Sequence, residues 1–226
     1  MIIKTEYKVE IGKIISQVES LGNVNKRLDL NIPTGDFFSD PWQIKTEFVN
    51  TPLGNILQTL GQVGQARLLY LESGETYTAH ADPDDRYHLA ITTNSYSYLL
   101  DLDSKKLHHI PVDGFIYKMD TGITHTASNF GPRTRIHLNV RHLLPSFKSN
   151  ENALRIKVMY RDYDWKQLAY TPVMSTINKL IKDKIVTGFK KIDDTEIHIN
   201  TQSFTIFDDI LTNLTKNGIE MQWSKI

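Results

Sequence analysis

From Arg67 to Arg141 the chain is a succession of short runs rich in β-branched, aromatic and alternating apolar residues, each stopped by a turn sequence. The runs are Arg67 to Glu72, Arg86 to Asn94, Tyr96 to Leu102, Lys106 to Ile110, Gly114 to Met119 and Arg133 to Arg141. Ser73-Gly74, Asp82-Pro83-Asp84-Asp85, Asp101 to Ser104, Asp113-Gly114 and Gly131-Pro132 separate them. Many short strands at this spacing predict a mainly β fold, a sandwich or jelly roll. Period two then assigns faces. Arg135, His137 and Asn139 share one side of the last run, with Ile136, Leu138 and Val140 on the other. His88, Ala90, Thr92 and Asn94 share a side of the second run, opposite Leu89 and Ile91. Polar groups on the inward face of so small a sandwich need partners or a ligand, because burying one unpaired costs roughly 1–3 kcal/mol.

The flanks have other rhythms. Val9 to Leu21 carries Ile11, Ile14, Ile15 and Val18 at helical spacing and stops near Gly22. Leu28 to Ile32 predicts a strand before Pro33-Thr34-Gly35, and Pro41 to Phe48 reads as irregular or extended. Asn50-Thr51-Pro52 caps a helix over Leu53 to Leu60. Helices ahead of the β runs would cover one outer face of the sheet. Beyond Pro145, Ser146 to Glu151 is polar enough for a linker. Then come a strand at Leu154 to Tyr160, a helix at Trp165 to Lys182 interrupted by Pro172, and strands at Ile185 to Lys191 and Glu196 to Asn200. A helix at Phe204 to Lys216, closed by Asn217-Gly218, and a strand at Ile219 to Trp223 complete the order βαββαβ, that of the split, ferredoxin-like α+β unit. The expected division is 1–145 and 152–226. Tyr160, Tyr163 and Trp165 read as core aromatics of the second unit, which could recognise a polypeptide, cover a site or mediate self-association.

Composition narrows the partners. Twenty-six basic residues balance twenty-six acidic ones over 226 residues, which argues against an electrostatically driven nucleic-acid or membrane partner. With no cysteine there is no disulfide framework, thiolate metal site or cysteine nucleophile. Met1 to Glu6 is too charged for a signal-peptide core, and no apolar run is long enough to span a bilayer, so a soluble cytoplasmic protein is expected.

The chemistry concentrates in three places. In an extended segment His80 and Asp82 of His80-Ala81-Asp82 point to the same side. His125, in Thr124-His125-Thr126, lies several strands later and can join them only through tertiary folding. Two imidazoles and one carboxylate form the facial triad suited to non-haem Fe(II), which leaves the opposite coordination face open. Arg135 follows His125 by ten residues on the next strand, where a guanidinium could pair bidentately with the carboxylate of a co-substrate bound to the metal. His137 and His88 could line the same pocket. Asn129 reads as a turn residue, His108-His109 as surface, and His142 and His198 receive no role.

The stretch Arg67 to Arg141 resembles the Fe(II)/2-oxoglutarate-dependent oxygenases, specifically the aspartyl/asparaginyl β-hydroxylase-like group that also includes free-proline hydroxylases. The likeness rests on Leu71-Glu72-Ser73-Gly74-Glu75 leading into His80-Ala81-Asp82, on Arg86-Tyr87-His88-Leu89-Ala90-Ile91, and on the Asp113-Gly114 approach. It continues through His125-Thr126-Ala127-Ser128-Asn129 to Arg135-Ile136-His137-Leu138. The resemblance implies a double-stranded β-helix, iron held by His80, Asp82 and His125, and Arg135 on the distal carboxylate of 2-oxoglutarate, with O2 as second co-substrate. It implies hydroxylation of an amino-acid side chain in a peptide or protein or in a free amino acid; the shared strand faces add His88, His137 and Asn94 as candidates to border the co-substrate. Some members have a His-Leu-Gly-Leu run as first ligand and no carboxylate, and His88-Leu89-Ala90-Ile91 is similar to it, so His88 rivals His80. Only His80 brings Asp82 with it. A similar β fold also serves cupin-type metal-dependent isomerases and non-catalytic binding proteins, which need no arginine for a dicarboxylate.

Overall fold

The computed structural model of the chain describes residues 2–22, 24–149, 151–159 and 163–226, with the backbone alone for 163–170. A strand, β1 (Ile2–Lys8), precedes helix α1 (Ile11–Ser20), whose Ile14 and Val18 are buried at helical spacing. The single run expected at Leu28 to Ile32 is two short strands, β2 (Arg27–Asp29) and β3 (Asn31–Ile32). The stretch read as irregular contains β4 (Gln43–Ile44) and a 3-10 turn at Thr46–Phe48. Helix α2 (Pro52–Leu60) begins as its sequence requires, with proline in the first turn and the Thr51 hydroxyl accepting the Gly54 N–H at 3.2 Å. Thr51→Ala is expected to remove about 1 kcal/mol. A thermal melt should register that as a Tm lower by about 2–4 °C, and an unchanged Tm would mean that the cap bond contributes nothing.

The central strands follow as β5 (Ala66–Leu71), β6 (Arg86–Thr92), β7 (Ser97–Asp101), β8 (Lys106–His108), β9 (Phe115–Met119), β10 (His125–Asn129) and β11 (Arg135–Arg141). All but β10 lie within two residues of the expected runs. β10 reads His-Thr-Ala-Ser-Asn and is buried at every position, so its sequence offers no apolar alternation to mark it as a strand. β1, rich in lysine and glutamate, pairs at the sheet edge and was equally silent.

Six strands form one antiparallel sheet in the order β1-β9-β6-β11-β5-β2, and β10-β7-β8 form a second. Residues 75–80 extend the second sheet along β10 through bridges pairing Thr76 with Ser128 and His80 with His125. The period-two faces of the large sheet are as expected. Leu68, Leu89, Ile91, Leu138 and Val140 pack outward against Ile14, Val18, Leu53, Ile56 and Leu57 of the two helices. Leu71, Ala90 and Met119 turn inward to meet Leu99 and Ala127 of the second sheet. The fold of this part is therefore two β layers with helices on one outer face.

The rest of the chain runs β12 (Ala153–Val158), α3 (Tyr163–Lys182), β13 (Val186–Lys191), β14 (Glu196–Thr201), α4 (Phe204–Lys216) and β15 (Met221–Lys225). Its four strands form an antiparallel sheet in the order β13-β14-β12-β15. α3 continues through Pro172, because Val173, Met174, Ile177 and Leu180 bury against this sheet and outweigh the missing N–H. Tyr160 lies outside the described residues, as do the side chains of Tyr163 and Trp165. The polar stretch after Pro145 is no free tether. The Phe189 N–H donates to the Pro145 carbonyl at 2.9 Å, and the Asn200 side chain bonds both backbone groups of Lys148 at 2.7 Å. Gly188 lets that segment cross β13, since a Cβ there would collide with Asn200 and approach the Ser146 carbonyl to 2.8 Å. Among the described residues no helix is long and apolar enough to cross a membrane.

Candidate metal centre

His80 and His125 face each other as a doubly hydrogen-bonded antiparallel pair, His80 N–H to His125 O at 3.0 Å and His125 N–H to His80 O at 2.9 Å. Directly opposed residues send their side chains to the same face, so the rings come to 4.6 Å between centroids. Asp82, two residues on and anchored by its N–H to the Thr121 carbonyl at 2.8 Å, joins them on that side. One ligand atom from each of the three lies within 4.8 Å of the others, and His88 is not in the group. The ring tautomers suit a cation. His80 Nδ1 lies 2.8 Å from the Thr78 carbonyl and His125 Nδ1 2.9 Å from that of Ile123, so each Nδ1–H is used and each Nε2 lone pair points into the site. The Nε2 atoms stand 3.6 and 3.9 Å from the same Asp82 oxygen, which leaves space for an ion between them. The His-Asp-His group could therefore hold a metal ion.

A buried ion network fixes the carboxylate. Asp84, with no exposed side-chain surface, receives Arg141 through Nε at 2.9 Å and Nη2 at 2.6 Å. Arg86 stands 3.1 Å from Asp84 through Nε and 3.0 Å from Asp82 Oδ2 through Nη2. Burial alone would favour a protonated Asp82, but Arg86, His80 and Arg141 outweigh it and hold the carboxyl far below its usual range. His80 is shifted upward, as Asp82 overcomes the opposing effect of burial, whereas burial and the facing His80 push His125 down. The loop is also braced from the C-terminal unit. Ala81 packs into that unit's core, the Asn178 amide donates to the Pro83 carbonyl at 3.1 Å, and Lys182 pairs with Asp85 at 2.9 Å and Asp120 at 2.6 Å.

The triad opens on a cavity of about 600 Å³ between the two β layers and the C-terminal unit, whose Met174 and Phe189 line it with Phe38. Arg135, His137 and Asn139 of β11 and His88 of β6 all reach its wall. Arg135 is 2 % exposed, and its Nη2 donates to His137 Nδ1 at 2.9 Å, which leaves His137 protonated on Nε2. Asn139 Nδ2 approaches His88 Nε2 at 3.2 Å, which leaves His88 protonated on Nδ1. Both imidazoles are pushed well below their usual pKa, by burial first and then by Arg135, and stay neutral. His137 Nε2, His88 Nδ1 and Asn139 Oδ1 are buried without a partner. Arg135 has no carboxylate among the described residues, and burial lowers its pKa to about 10. Three side chains that line one cavity therefore each keep an unpartnered polar atom, a demand that a polar ligand could meet.

One reading from the sequence, that of Asn94, needs correction. Asn94 does not reach the cavity: its amide donates to Asn129 Oδ1 at 2.9 Å and to the Arg133 carbonyl at 3.2 Å, because β6 ends at Thr92 and turns away. His88 lies on the cavity wall bonded to Asn139, where the sequence placed it, and outside the group of metal-binding atoms, so the rival reading of His88 as first ligand finds no support. Asn129, fully buried, clamps the turn into β11 through the carbonyls of Leu71 and Arg133. His142 stacks on Tyr87 at 4.0 Å and His198 meets Glu196 at 2.8 Å, both away from the cavity. Sequence reasoning missed Arg67, Arg86 and the Asp84–Arg141 pair. Asp84 lies in a stretch read as a turn, between the ligand Asp82 and the strand that starts at Arg86, and Arg67 alternates with Leu69 and Leu71 on an inward face.

No protein-family model matches the chain, and no curated protein does. Among solved structures, that of CapF with the inhibitor 3-isopropenyl-tropolone is similar over 36% of this chain and 25% of that one, at 13% identity and a TM-score of 0.30. The similarity thus spans a quarter of that protein's length.

Proposed function

We propose that the chain is an Fe(II)- and 2-oxoglutarate-dependent dioxygenase that hydroxylates an amino-acid side chain, in a free amino acid or within a polypeptide. In this reading the two β layers are a double-stranded β-helix and the C-terminal βαββαβ unit is ferredoxin-like. The observation that carries it is the pairing of a His-Asp-His group with a buried, carboxylate-free Arg135 across one cavity. Two imidazoles and one carboxylate match the ligand preference of non-haem Fe(II) and leave open positions for a co-substrate. Bound iron, with 2-oxoglutarate and O2, would supply the oxidising power needed to attack an unactivated C–H bond.

The protein's part is placement. His80, Asp82 and His125 hold the ion on one side, with backbone carbonyls and Arg86 fixing their orientation. Arg135 receives the distal carboxylate of the co-substrate, a planar fork meeting a planar acceptor. The orphaned N–H groups of His137 and His88 add donors along the same wall. Both β layers and the C-terminal unit contribute walls around the reacting atoms.

Anaerobic titration of the Fe(II)-loaded protein with 2-oxoglutarate tests the reading, since bidentate chelation gives a visible charge-transfer band. The band should saturate in the native protein, and Arg135→Gln should weaken 2-oxoglutarate binding by roughly 10- to 100-fold. Metal binding with no such band, or an affinity indifferent to Arg135, would favour a metal-dependent isomerase or a non-catalytic binder.

A further inference from the structure

Most cations on the cavity wall are matched. Lys26 meets Glu75 and Lys191 meets Asp194, at 2.8 and 2.7 Å, and Arg86 and Arg141 share Asp84. Arg135 and Arg67 have no carboxylate among the described residues, and the oxygenase reading uses only Arg135. Arg67 projects inward from β5, in register with Asn139, whereas Arg135 stands opposite Leu71 on the same pair of strands. Four residues of strand separate the two positions, roughly 13 Å at about 3.3 Å per residue. Arg67 stands opposite Asn139, two residues along β11 from Arg141 and its partner Asp84, which puts Arg67 at the metal end and Arg135 at the far end. Arg67 is only partly satisfied: Nη1 donates to Gln65 Oε1 at 3.1 Å and Nε is buried with no partner. Burial and the neighbouring Arg86, Arg27 and Arg141 lower its pKa to about 10, so it stays charged at neutral pH among like charges.

We propose that Arg67 is a second anion subsite, holding the carboxylate of a free, amino-acid-sized substrate between the metal ligands and the C-terminal unit. That the anion is the substrate's rests on the oxygenase reading; that an anion binds at Arg67 does not. A second guanidinium in a shared cavity calls for a second carboxylate, since one dicarboxylate engaged at the metal and at Arg135 leaves nothing for Arg67. Phe38 and, from the C-terminal unit, Met174 and Phe189 line the same space, an apolar wall that suits a compact molecule with an apolar body. Phe189 is fully buried and edge-on to Phe38 at 5.2 Å, so this part of the wall is built into a core.

The test uses the full chain loaded with Zn(II) as a redox-inert metal and 2-oxoglutarate, probed with the free L-amino acids and their carboxamides by thermal shift and calorimetry. At least one free acid should bind and its carboxamide should not. Arg67→Gln should weaken that acid by roughly 10- to 100-fold and leave 2-oxoglutarate affinity unchanged. Arg67→Lys, which keeps the charge but loses the fork, should retain part of the binding and guards against a folding defect. Carboxamides binding as well as acids, no acid binding at all, or Arg67→Gln losing 2-oxoglutarate instead would each overturn the subsite. Preference for an aspartate-containing peptide over every free acid would overturn the assignment to a small substrate. Acid binding that depends on Arg67 in a protein with no affinity for 2-oxoglutarate would leave the subsite standing and remove the oxygenase reading.

Discussion

His125→Ala is expected to abolish tight Fe(II) binding and, with it, any 2-oxoglutarate turnover. The imidazole is placed by the first residue of β10, its backbone locked to His80 and its Nδ1–H committed to Ile123. Alanine keeps the backbone pairing and removes only the ligand, so the fold should persist. What remains is His80 and an Asp82 carboxylate already engaged by Arg86 at 3.0 Å, a pair with less to offer a cation. Loss of a direct ligand should exceed the roughly 10- to 100-fold affinity cost of removing an outer partner. Chelator competition measures the metal affinity, and succinate formation reports turnover with or without a known substrate. Full metal occupancy and unchanged turnover in the variant would remove the centre from the function altogether.

How far the sequence reveals this site depends on how locally each residue is determined. Period two is a property of the strand itself, so the inward set of Arg135, His137 and Asn139 was legible from the chain, as was the outward set packed under the helices. His80 and Asp82 share a side for the same reason. The pairing of His80 with His125 was not legible in that way, because neither 75–80 nor β10 has the apolar alternation that marks a strand. The resemblance to an oxygenase family, not any local pattern, carried His125. Asn94 fails for a local reason: the strand ends two residues early, and its parity no longer matters. The Asp84 network was hidden because Asp-Pro-Asp-Asp is turn chemistry in isolation, and only burial beside two arginines makes it a core element.

The C-terminal unit could be read as an independent attachment, yet its contacts are with the metal loop. Gly122 permits Asn178 of α3 to approach so closely that a Cβ would collide with its amide, and the same amide reaches Pro83. Ala81, between two ligands, is buried among the apolar residues of that unit. A free small substrate would therefore meet the second unit and the metal in one enclosure, which is what ties the Arg67 inference to the architecture.

Asp84→Ala is expected to give the largest loss of stability of any single change near the site. Among the described residues Asp84 is the only carboxylate paired with Arg141 and one of two paired with Arg86, and all three side chains are at most 8 % exposed. Removing one partner of a buried pair leaves the other charge desolvated and uncompensated, at about 3–5 kcal/mol. For a chain of this length that corresponds to a Tm lower by roughly 6–20 °C. The cost should come mainly from the stranded guanidinium rather than from lost attraction. Arg141 lies over the rings of Phe37 and Phe38 at 4.6 and 4.4 Å, so an apolar side chain of similar length would find packing there. Asp84→Ala combined with Arg141→Met should accordingly recover part of the lost Tm. Arg86, freed from Asp84, should turn more fully onto Asp82 and weaken metal binding in both variants, which separates the two roles of the network. Denaturation melts of the three proteins, each with chelator competition, measure both effects. A single variant as stable as the native protein, or a double variant less stable than the single one, would show that the buried charges are matched by something other than Asp84.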